Sequence, residues 1–115
     1  MAKAFDLEKR STEFAKAVIE VCKDLPGNPV NDRIVGQVVG ASGSVGANYR
    51  EANDALGKKD SLQRMKIAGR EAKESHHWLE LLLTANSNKE SRIKPLMQEA
   101  DELKKILSSI IGKSQ

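Results

Sequence analysis

Four stretches of this 115-residue chain repeat apolar residues with the period of an α-helix, and no stretch alternates with period two. The first, FDLEKRSTEFAKAVIEVCKDL, sets Leu7, Phe14, Val18, Val21 and Leu25 close to one face. Two prolines in PGNPVND stop it and leave Asn31 or Asp32 to cap the next helix. In the second, Ile34, Val38, Ala41, Val45, Asn48, Ala52 and Ala55 recur in steps of four and three, the seam of a helical bundle. After a break at GKKD, residues 57–60, the third carries Leu62, Met65, Ala68, Ala72, His76, Leu79 and Leu83. A polar loop, ANSNKES, leads to the fourth, with Ile93, Leu96, Met97, Ala100, Leu103, Leu107 and Ile110 and a stop at Gly112. Helices of similar length joined by short loops pack beside their chain neighbours in opposite directions. The expected fold is all-α, an up-down antiparallel four-helix bundle forming one domain over residues 1–115.

The stretch VVGASGSVGANYREA tests that expectation, because its glycines resemble a phosphate-binding loop. A P-loop needs a lysine in register and a preceding strand, and this stretch has neither. Gly36, Gly40, Gly43 and Ala47 instead recur in steps of four, three and four, so on a helix they form one stripe nearly opposite Ile34, Val38, Ala41 and Val45. No charged residue occurs from Ile34 through Tyr49. A helix with two uncharged faces is expected to be covered on both sides, the second by a sister copy. A membrane span does not fit, since sixteen residues rise only about 24 Å against a hydrocarbon core of roughly 30 Å.

The third helix is doubled in the same way. Ile67, Trp78 and Leu81 share a face with Glu71 and Glu74, away from the Met65 and Leu79 seam. The expected homo-oligomer interface therefore comprises Gly36, Gly40, Gly43, Ala47, Tyr49, Ile67, Trp78 and Leu81. Between the two faces runs a basic stripe, Lys66, Arg70, Lys73 and His77.

The pieces GANYREA at 46–52, KKD at 58–60, KIAGREAKE at 66–74 and HWLELL at 77–82 closely resemble a known signature. It is that of the four-helix bundle family encoded in 23S rRNA intervening sequences, which also includes the accessory variability determinant of diversity-generating retroelements. The resemblance covers most of the chain. It implies a ring-like homopentamer with a positively charged surface and no established catalysis. In the retroelement branch it also implies binding to nucleic acid and to a reverse transcriptase.

Chemistry-bearing residues add little. Glu74 and His77 form one ExxH pair, but ferritin-like bundles need two such pairs and further glutamates, and His76 and His77 are the only histidines. No metal site and no cofactor are expected. Ser42 and Ser44 have no histidine or lysine placed to activate them and read as packing residues, so no enzyme is expected. Cys22, the single cysteine, excludes an internal disulfide and fits a reducing cytoplasm, and MAKAFDLEKR lacks the apolar core of a secretion signal.

What remains is charge. The net charge is +3, and Arg50, Lys58, Lys59, Arg64, Lys66, Arg70, Lys73 and His77 crowd the middle of the chain among interleaved acids. In one copy the better reading is a solvated, salt-bridged face. Repetition around a symmetric ring would strengthen its field on a phosphate backbone. The function expected is a non-enzymatic scaffold binding RNA or DNA by its backbone. The alternative is a protein-interaction adaptor with incidental polyanion affinity.

Overall fold

The structure is a computed structural model that describes the backbone of residues 2–115 and the side chains from Leu7 onward. Its elements are α1 (Ala2–Lys23), α2 (Pro29–Asp54), α3 (Lys58–Ala85) and α4 (Glu90–Ser114), with a short 3-10 turn at Ser87–Lys89. Each helix packs on its neighbours in the chain, α4 closes back onto α1, and the diagonal pairs stay apart. The result is an antiparallel four-helix bundle of 44 × 23 × 19 Å.

The seam residues explain the packing. Leu7, Phe14, Val18 and Val21 of α1 are buried with Val38, Val45, Tyr49 and Ala52 of α2. Met65, Ala68, Ala72, Leu79 and Leu82 of α3 and Ile93, Leu96, Ala100, Leu103 and Leu107 of α4 complete the core. On α3 the buried row is Met65, Ala68, Ala72, Ser75, Leu79 and Leu82, a strict alternation of three and four. Ser75 and Leu82 thus replace His76 and Leu83 in the expected seam; those two are half-buried at its edge. Ser75 is tolerated because its hydroxyl donates to the Glu71 carbonyl at 2.8 Å inside its own helix.

Small residues set the helix spacing where α1 crosses α2. A Cβ added at Gly46 would sit 2.9 Å from Ser11 Oγ, and Ser11 is itself buried. Gly46 is therefore the glycine of α2 that close approach requires.

The helix ends differ in detail from the sequence expectation. Asn28, not Asn31 or Asp32, caps α2, its Oδ1 accepting from the Asn31 N–H at 2.8 Å with Pro29 behind it. The break between α2 and α3 spans residues 55–57, so Lys58 already opens α3, and Ser61 Oγ ties the corner to the Ala52 carbonyl at 3.0 Å. Gly112 does not stop α4, which runs on to Ser114.

Three arginines fasten α1. Arg10 makes a forked pair with Glu99 on α4, at 2.7 and 2.8 Å. Arg92 of α4 holds Asp24 at 2.7 Å, and Arg50 of α2 holds Glu8 at 2.9 Å.

Candidate functional site

The basic stripe forms as its spacing requires. Lys66, Arg70, Lys73 and His77 are all exposed, on the side of α3 turned away from its buried row. Lys59 stands one heptad before Lys66, so the row continues toward the α2–α3 corner and reaches about 27 Å from Lys59 to His77. Among the described residues, none of Lys58, Lys59, Lys66, Arg70 and Lys73 joins an ion pair. The positions beside the row on its own helix are Leu62, Gly69 and His76 with Glu80 on one flank and Ile67 and Leu81 with Glu74 on the other. The lysines and Arg70 consequently face water without a carboxylate at ion-pair distance among the described residues, with Glu71 and Glu74 the acids nearest Arg70.

Two of the arginines expected to belong to this set are engaged elsewhere. Arg50 donates from Nη1 to Glu8 Oε1 and from Nη2 to Thr12 Oγ1 at 3.0 Å, while Asn53 holds the other Glu8 oxygen at 2.8 Å. It is a tie between α2 and α1. Arg64 reaches Asn48 Oδ1 at 3.3 Å across the α2–α3 seam, and Asn48 in turn donates to the Ser44 carbonyl and hydroxyl, both at 2.9 Å. Ser42 bonds back to the Val39 carbonyl at 3.3 Å.

The residues expected at an oligomer interface separate into four places. Gly36, Gly40, Gly43 and Ala47 are exposed on the outer face of α2, and nothing within 4 Å would meet a Cβ at the three glycines. Ile67 and Trp78 are half-buried in the outer crease between α2 and α3. Leu81 is exposed, further round α3. Tyr49 corrects the expectation: it is 3 % exposed and belongs to the protomer's own core, because it falls one seam step after Val45.

The crease has two unlike ends. Near the α2–α3 corner it is lined by Glu51, Asp54, Asp60, Gln63, Arg64 and Ile67. At the other end Arg33, Ile34 and Gln37 of α2 face Trp78 across an open groove of about 570 Å³. The His77 ring meets the Trp78 indole edge-on, with centroids 5.0 Å apart and planes at 67°. The row of cations therefore ends beside the groove.

Burial raises the Glu71 carboxyl above its ordinary value, and Glu74 adds to the effect while Arg70 opposes it. Burial likewise raises the Cys22 thiol. Among the described residues, no three of His, Cys, Asp and Glu come together as metal ligands. No helix of the described residues is long and apolar enough to cross a membrane.

The model of the 23S rRNA-intervening sequence protein family matches residues 3–109, nearly the whole bundle. The chain belongs to that family. A solved structure with the same fold is a protein of unknown function from the S23 ribosomal protein family of Bacteroides thetaiotaomicron VPI-5482. It is 31% identical, with a TM-score of 0.79, and the match covers 91% of this chain and 97% of that one. The search of curated proteins found no match. In this member of the 23S rRNA-intervening sequence protein family, Arg33 and Gln37 are the groove residues that sequence reasoning passed over, and Ile34, expected in the seam, is half-buried beside them. Their spacing offered one signal: Arg33 and Gln37 stand four apart on α2, beside Ile34.

Proposed function

We propose that this protein is a non-enzymatic, self-associating scaffold that binds RNA or DNA through the phosphate backbone, using Lys59, Lys66, Arg70, Lys73 and His77 of α3 with Lys58 at the corner. The observation that carries the reading is the row itself: exposed, straight, and without carboxylate partners among the described residues. Backbone contacts release counterions, so affinity should fall steeply with salt and depend little on sequence. Titration of labelled RNA and DNA at rising salt tests this; no binding at low salt defeats it.

Self-association is proposed through the outer face of α2, where Gly36, Gly40, Gly43 and Ala47 lie exposed in a segment with no charge. Such a face supports close approach of a second helix. A ring of five copies, as the family resemblance implies, would repeat the α3 row around its circumference.

One observation favours a protein partner as a second reading. Leu56, at the α2–α3 corner, is fully exposed beside Lys58 and Lys59. An adaptor docking there, including on a reverse transcriptase, would keep its partner when Lys66, Arg70 and Lys73 are reversed in charge.

A further inference from the structure

We propose that the groove formed by Arg33, Ile34, Gln37 and Trp78 is a nucleobase site, in which a single strand tracking the α3 row lays one unpaired base against the indole. The inference rests on the reading of that row as a backbone track and adds to it the strandedness of the ligand.

Trp78 is the chain's one tryptophan. Phe14 and Tyr49 are buried in the core, whereas the indole is half-exposed at the wall of a groove. An aromatic ring left at the surface is suited to base stacking, which every base can supply. The opposite wall provides the rest of a base pocket. Ile34 closes it with an apolar surface, Gln37 carries an amide able to donate and accept along a base edge, and Arg33 offers a guanidinium for stacking or for a phosphate. His77 belongs to both features, standing in the cation row and touching the indole edge-on. A strand with phosphates along Lys66, Arg70 and Lys73 thus reaches the groove by turning at His77 from the outer side of α3 into the adjoining crease. A base inside a duplex cannot enter it without being unpaired, so the site selects single strands.

The test uses the full chain and three ten-nucleotide probes: oligo(A), oligo(U) and an abasic strand of equal charge, with both ribose and deoxyribose versions. Binding is followed by probe anisotropy, and the groove by the fluorescence of Trp78. The base-bearing probes should quench Trp78 and the abasic strand should not. Trp78→Ala should weaken oligo(A) binding about ten-fold, within the range of a lost stacking contact, and leave the abasic strand unchanged. Arg33→Ala/Gln37→Ala, at two exposed positions, should weaken the base-bearing probes without touching the fold. Equal affinity for abasic and base-bearing strands overturns the base site while leaving the phosphate track standing. Trp78 emission that follows protein concentration and ignores the probes also overturns it, and assigns the groove to a second copy. Failure of every probe to bind, even at the lowest salt, removes the phosphate track and the base site together.

Discussion

Asn31 of α2 and Asn86 at the end of α3 exchange amide hydrogen bonds in both directions, at 3.1 and 2.9 Å, with both side chains nearly buried. The remaining donors are also used: Asn31 Nδ2 reaches the Pro26 carbonyl at 2.9 Å and Asn86 Nδ2 the Leu82 carbonyl at 3.0 Å. The pair closes one end of the bundle by joining the α1–α2 loop to the last turn of α3. Truncating either member orphans the other inside the protein, which costs about 1–3 kcal/mol beyond the lost bond. Asn31→Ala and Asn86→Ala should each lower stability by about 2–3 kcal/mol in urea unfolding. The double substitution should cost less than the sum of the two.

The glycines of α2 should separate into two classes. Replacing an exposed helical glycine by alanine gains about 1 kcal/mol in helix propensity, and Gly40→Ala has open space in which to realise it. Gly46→Ala meets Ser11 Oγ and forces that hydroxyl away from the Glu8 carbonyl, which it reaches at 3.1 Å. It should gain nothing or lose stability, and Ser11→Ala in the same chain should restore the gain. If α2 is the oligomer face, Gly36→Ala/Gly40→Ala should yield a more stable protomer that associates less well, as read by sedimentation velocity.

Arg50 and Arg70 should part company in function. Arg50→Ala removes the tie to Glu8 and Thr12; an exposed pair of this kind contributes roughly 0.5–1 kcal/mol. Its main effect should be on stability, with nucleic-acid affinity little changed. Arg70→Ala should leave unfolding within about 0.5 kcal/mol of the parent and weaken oligonucleotide binding several-fold.

Acid stability should reflect two opposing groups. Hydrogen bonding from Arg92 holds the Asp24 carboxyl below its ordinary 3.8, and Lys94 does the same for Glu90 below 4.5. At both, the unfolded chain binds the proton more tightly, so their contribution is present above the unfolded values and drains as pH falls through the folded ones. Glu71 acts in reverse. Its folded value lies above 4.5, so the folded chain gains stability as pH falls from that value toward 4.5. Glu71→Gln should therefore raise stability at neutral pH, and Asp24→Asn should flatten the acid loss below 3.8, in unfolding followed from about pH 7 to pH 3.

The architecture was legible because each seam is written within a single helix. Val38, Ala41 and Val45, or Ile93, Ala100 and Leu103, need only a 3.6 period to be placed. The α3 row was legible for the same reason. What failed depended on partners elsewhere in the chain. Asn31 reads as a cap until Asn86 appears 55 residues later, and Arg50 reads as a free cation until Glu8 is found 42 residues earlier. Tyr49 stands in the expected oligomer interface, but its step of four from Val45 puts it in the protomer's core. Ser75 lies outside the expected seam because steps of four from Ala72 and Leu79 lead to His76 and Leu83, whereas the packing takes the steps of three to Ser75 and Leu82. The Trp78 groove needs two helices to exist, and no single-helix pattern reveals it.

The central claim is that the α3 row is a track for phosphates, and the slope of affinity against salt tests it most directly. Each neutralised phosphate contributes about −0.7 to the slope of log K against log salt for a single strand. Removing three contacts with Lys66→Glu/Arg70→Glu/Lys73→Glu should therefore flatten the slope by about 2 per protomer, while circular dichroism remains that of the parent bundle. A folded triple variant that binds RNA and DNA with the parent affinity and the parent slope would contradict the account.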